Sequence, residues 1–196
     1  EVSGSIQGDP NRKLSTRPQM EKDEWQKFCE KISELGKYLE DEGMPLAYHH
    51  HMGTVIETQK DTERLIENTH ESVKLTLDTG HMLFAKGDSK YILQNYHERI
   101  LHVHCKDIRK QVLEKSLKED LSFRGAFLEG AFTVPGDGCI DYQPLFNVLK
   151  NNNYSGWLVV EAEQDPAKAN PLEYAKIGYN YLTDTLKKSE IEIYKN

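Results

Sequence analysis

Side chains able to bind metal or move protons gather at four places in the chain. These are "YHHHMGT" (48–54), "LTLDTGH" (75–81), "LHVHCKDIR" (101–109) and "WLVVEAEQD" (157–165). Each couples an apolar run to ionisable residues. Imidazoles mixed with carboxylates suit Mn²⁺, Co²⁺, Fe²⁺ or Zn²⁺, whereas Mg²⁺ and Ca²⁺ prefer all-oxygen shells. A divalent ion so held polarises a ketone or hydroxyl and stabilises an enediolate. A lysine or an unligated histidine beside it can move protons.

The spacing sorts these residues by face. Side chains alternate along a strand, so His102, His104 and Lys106 share one face and Leu101, Val103 and Cys105 the other. By the same rule His49 and His51 share a face, His50 takes the opposite one, and Glu161 and Glu163 point together. Burying such groups is costly unless each has a partner. Structural roles compete with chemical ones at each position. A single histidine can be a hydrogen-bonded core residue, and the histidine run can be a surface loop. Asp78 or Thr79 can cap a helix starting near His81. Glu161 or Glu163 can form a buried salt bridge to Lys106. Gly80 permits a sharp turn. No cysteine joins the set with the right facing, which argues against structural zinc. "PGDGCIDY" reads as a turn over the site mouth. The chain shows no nucleophile elbow, phosphate loop or dinucleotide fingerprint.

The elements that must position these residues follow from periodicity. Helical spacing is predicted over 21–42, stopped by Gly43 and Pro45, and further helices over 59–72, 88–98, "YQPLFNVLKNNN" and "NPLEYAKIGYNYLTDTLKK". Strands are predicted at the end of "EVSGSIQG" and in "PLAYHHH", "VKLTLD", "RILHVHCKD" and "GWLVVEAE". Residues 107–138 form a long excursion, part helical near 109–119. Strand–helix alternation of this kind implies parallel strands with helices outside. The C-terminal strand ends then share one edge, where α/β folds build their sites.

The chain has 196 residues, 37% hydrophobic and 29% charged, with a net charge of -7. That composition fits a globular core. The acidic balance argues against nucleic acid as partner, and no apolar run is long enough for a membrane span. Three cysteines without finger spacing suit reduced thiols and a cytoplasmic location.

The motifs, with "FTVPGDG" and "GWLVVEAEQDPAKANPLEYA", closely resemble the inosose dehydratases, within the xylose-isomerase-like barrel superfamily. The resemblance runs from "EVSGSIQG" to about residue 186. It implies a (β/α)₈ TIM barrel of which this chain supplies about the C-terminal five βα units over 1–188, with a polar tail at 189–196. The N-terminal βα units are expected to lie outside the chain, as in a fragment or a barrel completed by another segment. It implies dehydration of 2-keto-myo-inositol (scyllo-inosose) to a trihydroxycyclohexanedione, with Mn²⁺ or Co²⁺ and with glutathione as a further cofactor. Asp78, His104 and Glu161 match the family's metal ligands. His49 stands where many members carry Glu, so either it ligates or water or substrate takes that position. His81 matches a residue contacting substrate or a second metal. Lys106, His51 and His102 are candidates for acid and base. The implied partner is a small polyol ketone, and a homo-oligomer is compatible. Rival readings are a sugar isomerase or epimerase on the same scaffold, a phosphodiesterase of the endonuclease IV type, and a catalytically dead binding module.

Overall fold

The computed structural model describes residues 5–193. In chain order it contains α1 (Lys22–Asp41), β1 (Leu46–His49), α2 (Gln59–Asn68), β2 (Val73–Asp78), α3 (Thr79–Phe84), α4 (Ser89–Asn95) and β3 (Ile100–Cys105). There follow β4 (Asp107–Ile108), α5 (Lys110–Lys118), α6 (Phe123–Leu128), β5 (Phe132–Thr133), α7 (Gln143–Asn151), β6 (Trp157–Val160) and α8 (Pro171–Lys188).

Four strands form one parallel sheet in the order β1-β2-β3-β6. The register sets Thr76 beside His102, Asp78 beside His104, and His104 beside Val159. Leu75, Leu77, Val103 and Cys105 point to one face and join Trp25, Ile66, Ile92, Phe146 and Leu182 in the main core. Full burial of each such aliphatic side chain contributes about 1.5–3 kcal/mol, which fixes the register, since a slip of one residue would exchange the two faces. The opposite face is therefore left to His49, Asp78, His102 and His104.

Side chains cap the starts of α2 and α3. Asp78 Oδ1 accepts the His81 amide at 2.8 Å, and Thr58 Oγ1 accepts the Asp61 amide at 3.1 Å. Arg99 ties α2 to β2 by donating to the carbonyls of Ile66 and Val73, both at 2.9 Å. Gly178 lets α8 close on the sheet, since a Cβ there would lie 2.6 Å from Val160 Cγ1.

Three features differ from the sequence expectation. Residues 1–4 of the expected first strand end lie outside the described residues, and Ile6 donates its amide to Gly53 without forming a strand. The parallel sheet therefore has four strands among the described residues. The 107–138 excursion holds more structure than the one helical stretch expected near 109–119. It holds α5, α6 and an antiparallel pair joining Asp107–Ile108 to Phe132–Thr133, packed as a second core around Met52, Phe84, Leu113 and Phe123. The tail beyond α8 begins tied down: Ser189 is buried, Ile191 packs on the main core, and Lys150 pairs with Glu190 at 2.9 Å. Among the described residues no helix is long and apolar enough to cross a membrane.

Candidate metal and proton-transfer site

The C-terminal ends of all four parallel strands meet at one place. His49 ends β1, Asp78 ends β2, His104 lies near the end of β3, and Glu161 follows β6 directly. His49 Nε2 lies 3.5 Å and His104 Nδ1 3.6 Å from Asp78 Oδ2. One ligand atom from each of these three falls within 4.8 Å of the others. The Glu161 carboxylate closes on His104 Nδ1 from the β6 side.

The polar atoms themselves test whether this set fits a cation. His49 Nε2, Asp78 Oδ2, His104 Nδ1 and Glu161 Oε2 are all buried, and none is matched by a hydrogen bond of ordinary geometry. Buried polar atoms are nearly always paired. His49, Asp78 and His104 bring their atoms within 4.8 Å of one another, and Glu161 Oε2 lies against His104; two nitrogens and two oxygens are a fitting ligand set for a divalent transition ion.

A second group adjoins the first. His51, His81 and Glu163 also bring ligand atoms within 4.8 Å of one another. His81 Nε2 lies 3.2 Å from Glu163 Oε2, and His51 Nε2 lies 3.6 Å from Glu163 Oε1. Between the groups sits the Lys106 ammonium, 2.8 Å from Glu163 Oε2, 3.0 Å from His81 Nε2, and 3.3 Å from both Asp78 Oδ2 and Glu161 Oε1. Three carboxylates face this one lysine, so the metal-free site keeps an excess of negative charge.

The scaffold explains why each group stands there. Thr79 Oγ1 donates to the Lys106 carbonyl at 2.7 Å, and Tyr142 OH donates to the same carbonyl at 3.0 Å, locking the turn after β3. His50 points away from the cluster, as alternation requires, and its Nε2 accepts the Asp78 amide at 3.2 Å. Gly80 makes room for the Lys106 stem, since a Cβ there would lie 2.7 Å from Lys106 Cγ. The excursion supplies the apolar wall. The Phe132 ring stands 5.0 Å from the His81 ring and 5.3 Å from Lys106 Nζ, and Phe123 stands 5.2 Å from the His51 ring.

Burial and charge set the protonation states. Burial pushes His50 and His81 down to about 3, so both are neutral near pH 7. Burial also opposes charge on Lys106, but Asp78, Glu163 and Glu161 outweigh it and raise the ammonium above its usual range. Burial favours the neutral acid at Asp78, yet His81, Lys106 and the imidazoles of His104 and His49 hold it well below the usual range. With His81 neutral, Lys106 and His104 are the cations beside Asp78 near pH 7. Glu163 is likewise held down, with burial overcome by His51, His81 and Lys106. His104 is pushed up to about 9, because contacts with Asp78 and Glu161 outweigh burial.

Of the residues singled out in the sequence, His49, Asp78, His104 and Glu161 lie together, with Lys106, His81 and His51 beside them. His102 joins neither group. It sits one pleat nearer the strand start, its ring 5.4 Å from that of His104, because alternation fixes its facing but not its depth. Two structural roles weighed in the sequence coexist with the cluster: Asp78 does cap α3, and Lys106 does pair with both glutamates. Glu163 emerges as the hinge of the second group. Its only sequence signal is its place two residues after Glu161. Gln7, which touches His51 Nδ1, and the aromatic wall carry no local signal.

A parallel sheet with helices outside it and an imidazole–carboxylate cluster able to hold a metal at its C-terminal edge define an α/β protein with its site at the strand ends. This chain belongs to the xylose isomerase-like TIM barrel family, whose profile matches residues 4–185. It is 46% identical over 186 residues to the inosose dehydratase of Clostridium beijerinckii, an alignment covering 94% of this chain and 62% of that protein. It is 46% identical over 169 residues to the rhizopine catabolism protein MocC of Rhizobium meliloti, covering 86% of this chain and 52% of that protein. The chain thus spans less than two thirds of the length of these curated relatives. The crystal structure of the IOLI protein with a binding zinc atom superposes with a TM-score of 0.58 and 22% identity, over 89% of this chain and 58% of that one. That likeness speaks to the fold alone.

Proposed function

We propose that this chain is the C-terminal portion, over 1–188, of a metal-dependent hydro-lyase barrel that removes water from 2-keto-myo-inositol. The observation that carries the reading is the gathering, from four strand ends, of buried imidazole and carboxylate atoms that make no hydrogen bond of ordinary geometry. The 46% identity to an inosose dehydratase supports the substrate class, and the zinc atom of the IOLI protein supports a metal on this fold.

His49, Asp78, His104 and Glu161 would hold the ion, with Mn²⁺ or Co²⁺ the expected metals. Bound there, a divalent ion supplies Lewis acidity that acidifies the C–H next to a ketone. The chain's own residues divide the remaining work. Lys106 is fully enclosed, which suits holding the carboxylates rather than meeting substrate. His51 and Glu163 keep 16% and 26% of their side chains exposed. His51 is the proton-transfer group of this reading, with Glu163 positioning it. The proton leaves the carbon beside the ketone, the hydroxyl on the next carbon departs as water, and the enol product tautomerises to the dione. Phe123 and Phe132 keep the site's apolar side dry. Lys106 is already engaged by three carboxylates, so these residues offer glutathione no free cation and no step is assigned to it.

The test incubates 2-keto-myo-inositol with the chain before and after chelation, and weighs the product. The expected product is lighter by one water and forms only after metal add-back. An isomer of unchanged mass would overturn dehydration in favour of the isomerase or epimerase reading. Undiminished turnover in chelated protein would overturn the metal.

A further inference from the structure

We infer that the Lys106 ammonium fills the second cation position of what would otherwise be a two-metal centre, and so restricts the site to one ion. This rests on the metal reading above.

The second group is a complete three-ligand set in its own right, two imidazoles and a carboxylate within 4.8 Å. Its ligand types are those of the first set, but His81 Nε2 and Glu163 Oε2 are already bonded by Lys106, whereas the first set's atoms lack ordinary hydrogen bonds. The ammonium contacts His81 and Glu163 of the second group and Asp78 and Glu161 of the first. Carboxylates that face both groups through one central cation are what a two-metal site uses to bridge ions about 3.5–4 Å apart. Here a covalently tethered charge takes the bridging place. A divalent ion on His51, His81 and Glu163 would need the atoms that Lys106 Nζ already holds, His81 Nε2 at 3.0 Å and Glu163 Oε2 at 2.8 Å, and would meet its charge where screening is weak.

The placement is built rather than incidental. Gly80 leaves the space that the lysine stem fills, with any Cβ there 2.7–3.0 Å from Lys106 Cγ, Cβ and Cδ. Phe132 offers its ring to the ammonium from the apolar side. Lys106 is wholly buried, yet it meets more acceptors than an ammonium has protons. A metal ion meets its ligands in the same crowded way.

The test titrates the full chain with Mn²⁺ alone, reading stoichiometry by elemental analysis after desalting and the ion's surroundings by electron paramagnetic resonance. Wild type is expected to bind one ion with the six-line spectrum of an isolated Mn²⁺. Lys106→Ala, checked for native circular dichroism, is expected to bind two ions with an exchange-coupled spectrum. Adding His81→Ala to it should return the count to one. Two coupled ions in wild type would overturn the inference, and this arm stands even where Lys106→Ala fails to fold. One ion in a folded Lys106→Ala protein would also overturn it while leaving the metal reading intact. No ion in wild type would sink the metal reading itself.

Discussion

Gly80→Ala separates two effects of opposite sign. Gly80 lies in the first turn of α3, where alanine should favour the helix by about 1 kcal/mol. The added Cβ, however, would lie 2.7 Å from Lys106 Cγ and 3.0 Å from both its Cβ and Cδ. The Lys106 Cβ is fixed to the backbone, so the stem cannot swing aside without moving the strand end. Overpacking of this kind costs about 1–3 kcal/mol. Any shift of the ammonium weakens its pairing with buried Asp78 and Glu163, and breaking a buried pair costs about 3–5 kcal/mol. Partial loss of those contacts leaves a net destabilisation of roughly 2–4 kcal/mol, or roughly 4–16 °C in Tm for a chain of this size. Thermal and urea unfolding of the metal-free protein at pH 7 measure it. Gly8→Ala is the control, since a Cβ there meets nothing within 4 Å. An unchanged or raised Tm in Gly80→Ala would refute the tight seating of Lys106.

Asp78→Asn should keep the cap on α3 but lose a charged ligand, so metal affinity should fall at least ~100-fold while the far-ultraviolet circular dichroism stays native. His104 is raised to about 9 without metal, so at pH 7 it carries a proton that ligation must displace. Calorimetry in buffers of different ionisation enthalpy should show about one proton released per ion, with affinity rising with pH up to about 9. Arg99→Ala should lose roughly 2–3 kcal/mol in urea unfolding, because its guanidinium bonds backbone carbonyls of both α2 and β2. His102→Ala should leave metal stoichiometry unchanged, since His102 stands outside both groups.

The helix and strand alternation was legible because period is local. Leu75, Leu77, Val103 and Cys105 announce their face two residues at a time, and the same rule sorted His49 and His51 from His50. The polar strand ends were legible because ionisable residues at the close of apolar runs need a collective reason. What periodicity could not convey was contact across the sheet. It placed His102 with His104 by facing, though depth along the strand separates them. It offered Lys106 as a proton carrier or as a salt-bridge partner of the glutamates, and could not convey that carboxylates of β2 and of the segment after β6 surround it. Helix α6 is only six residues long, too short for helical spacing to show, and it is held by Leu113 and Phe132 on either side of it in the chain. The service of Gly80 to Lys106 has no local signature at all.

The central claim is that four strand ends gather one cation. Anomalous diffraction from crystals soaked in Mn²⁺ tests it most directly. A single peak is expected, with His49, Asp78, His104 and Glu161 as its ligands at roughly 2.0–2.2 Å. A peak outside that set, or no peak with all four side chains ordered, would contradict it.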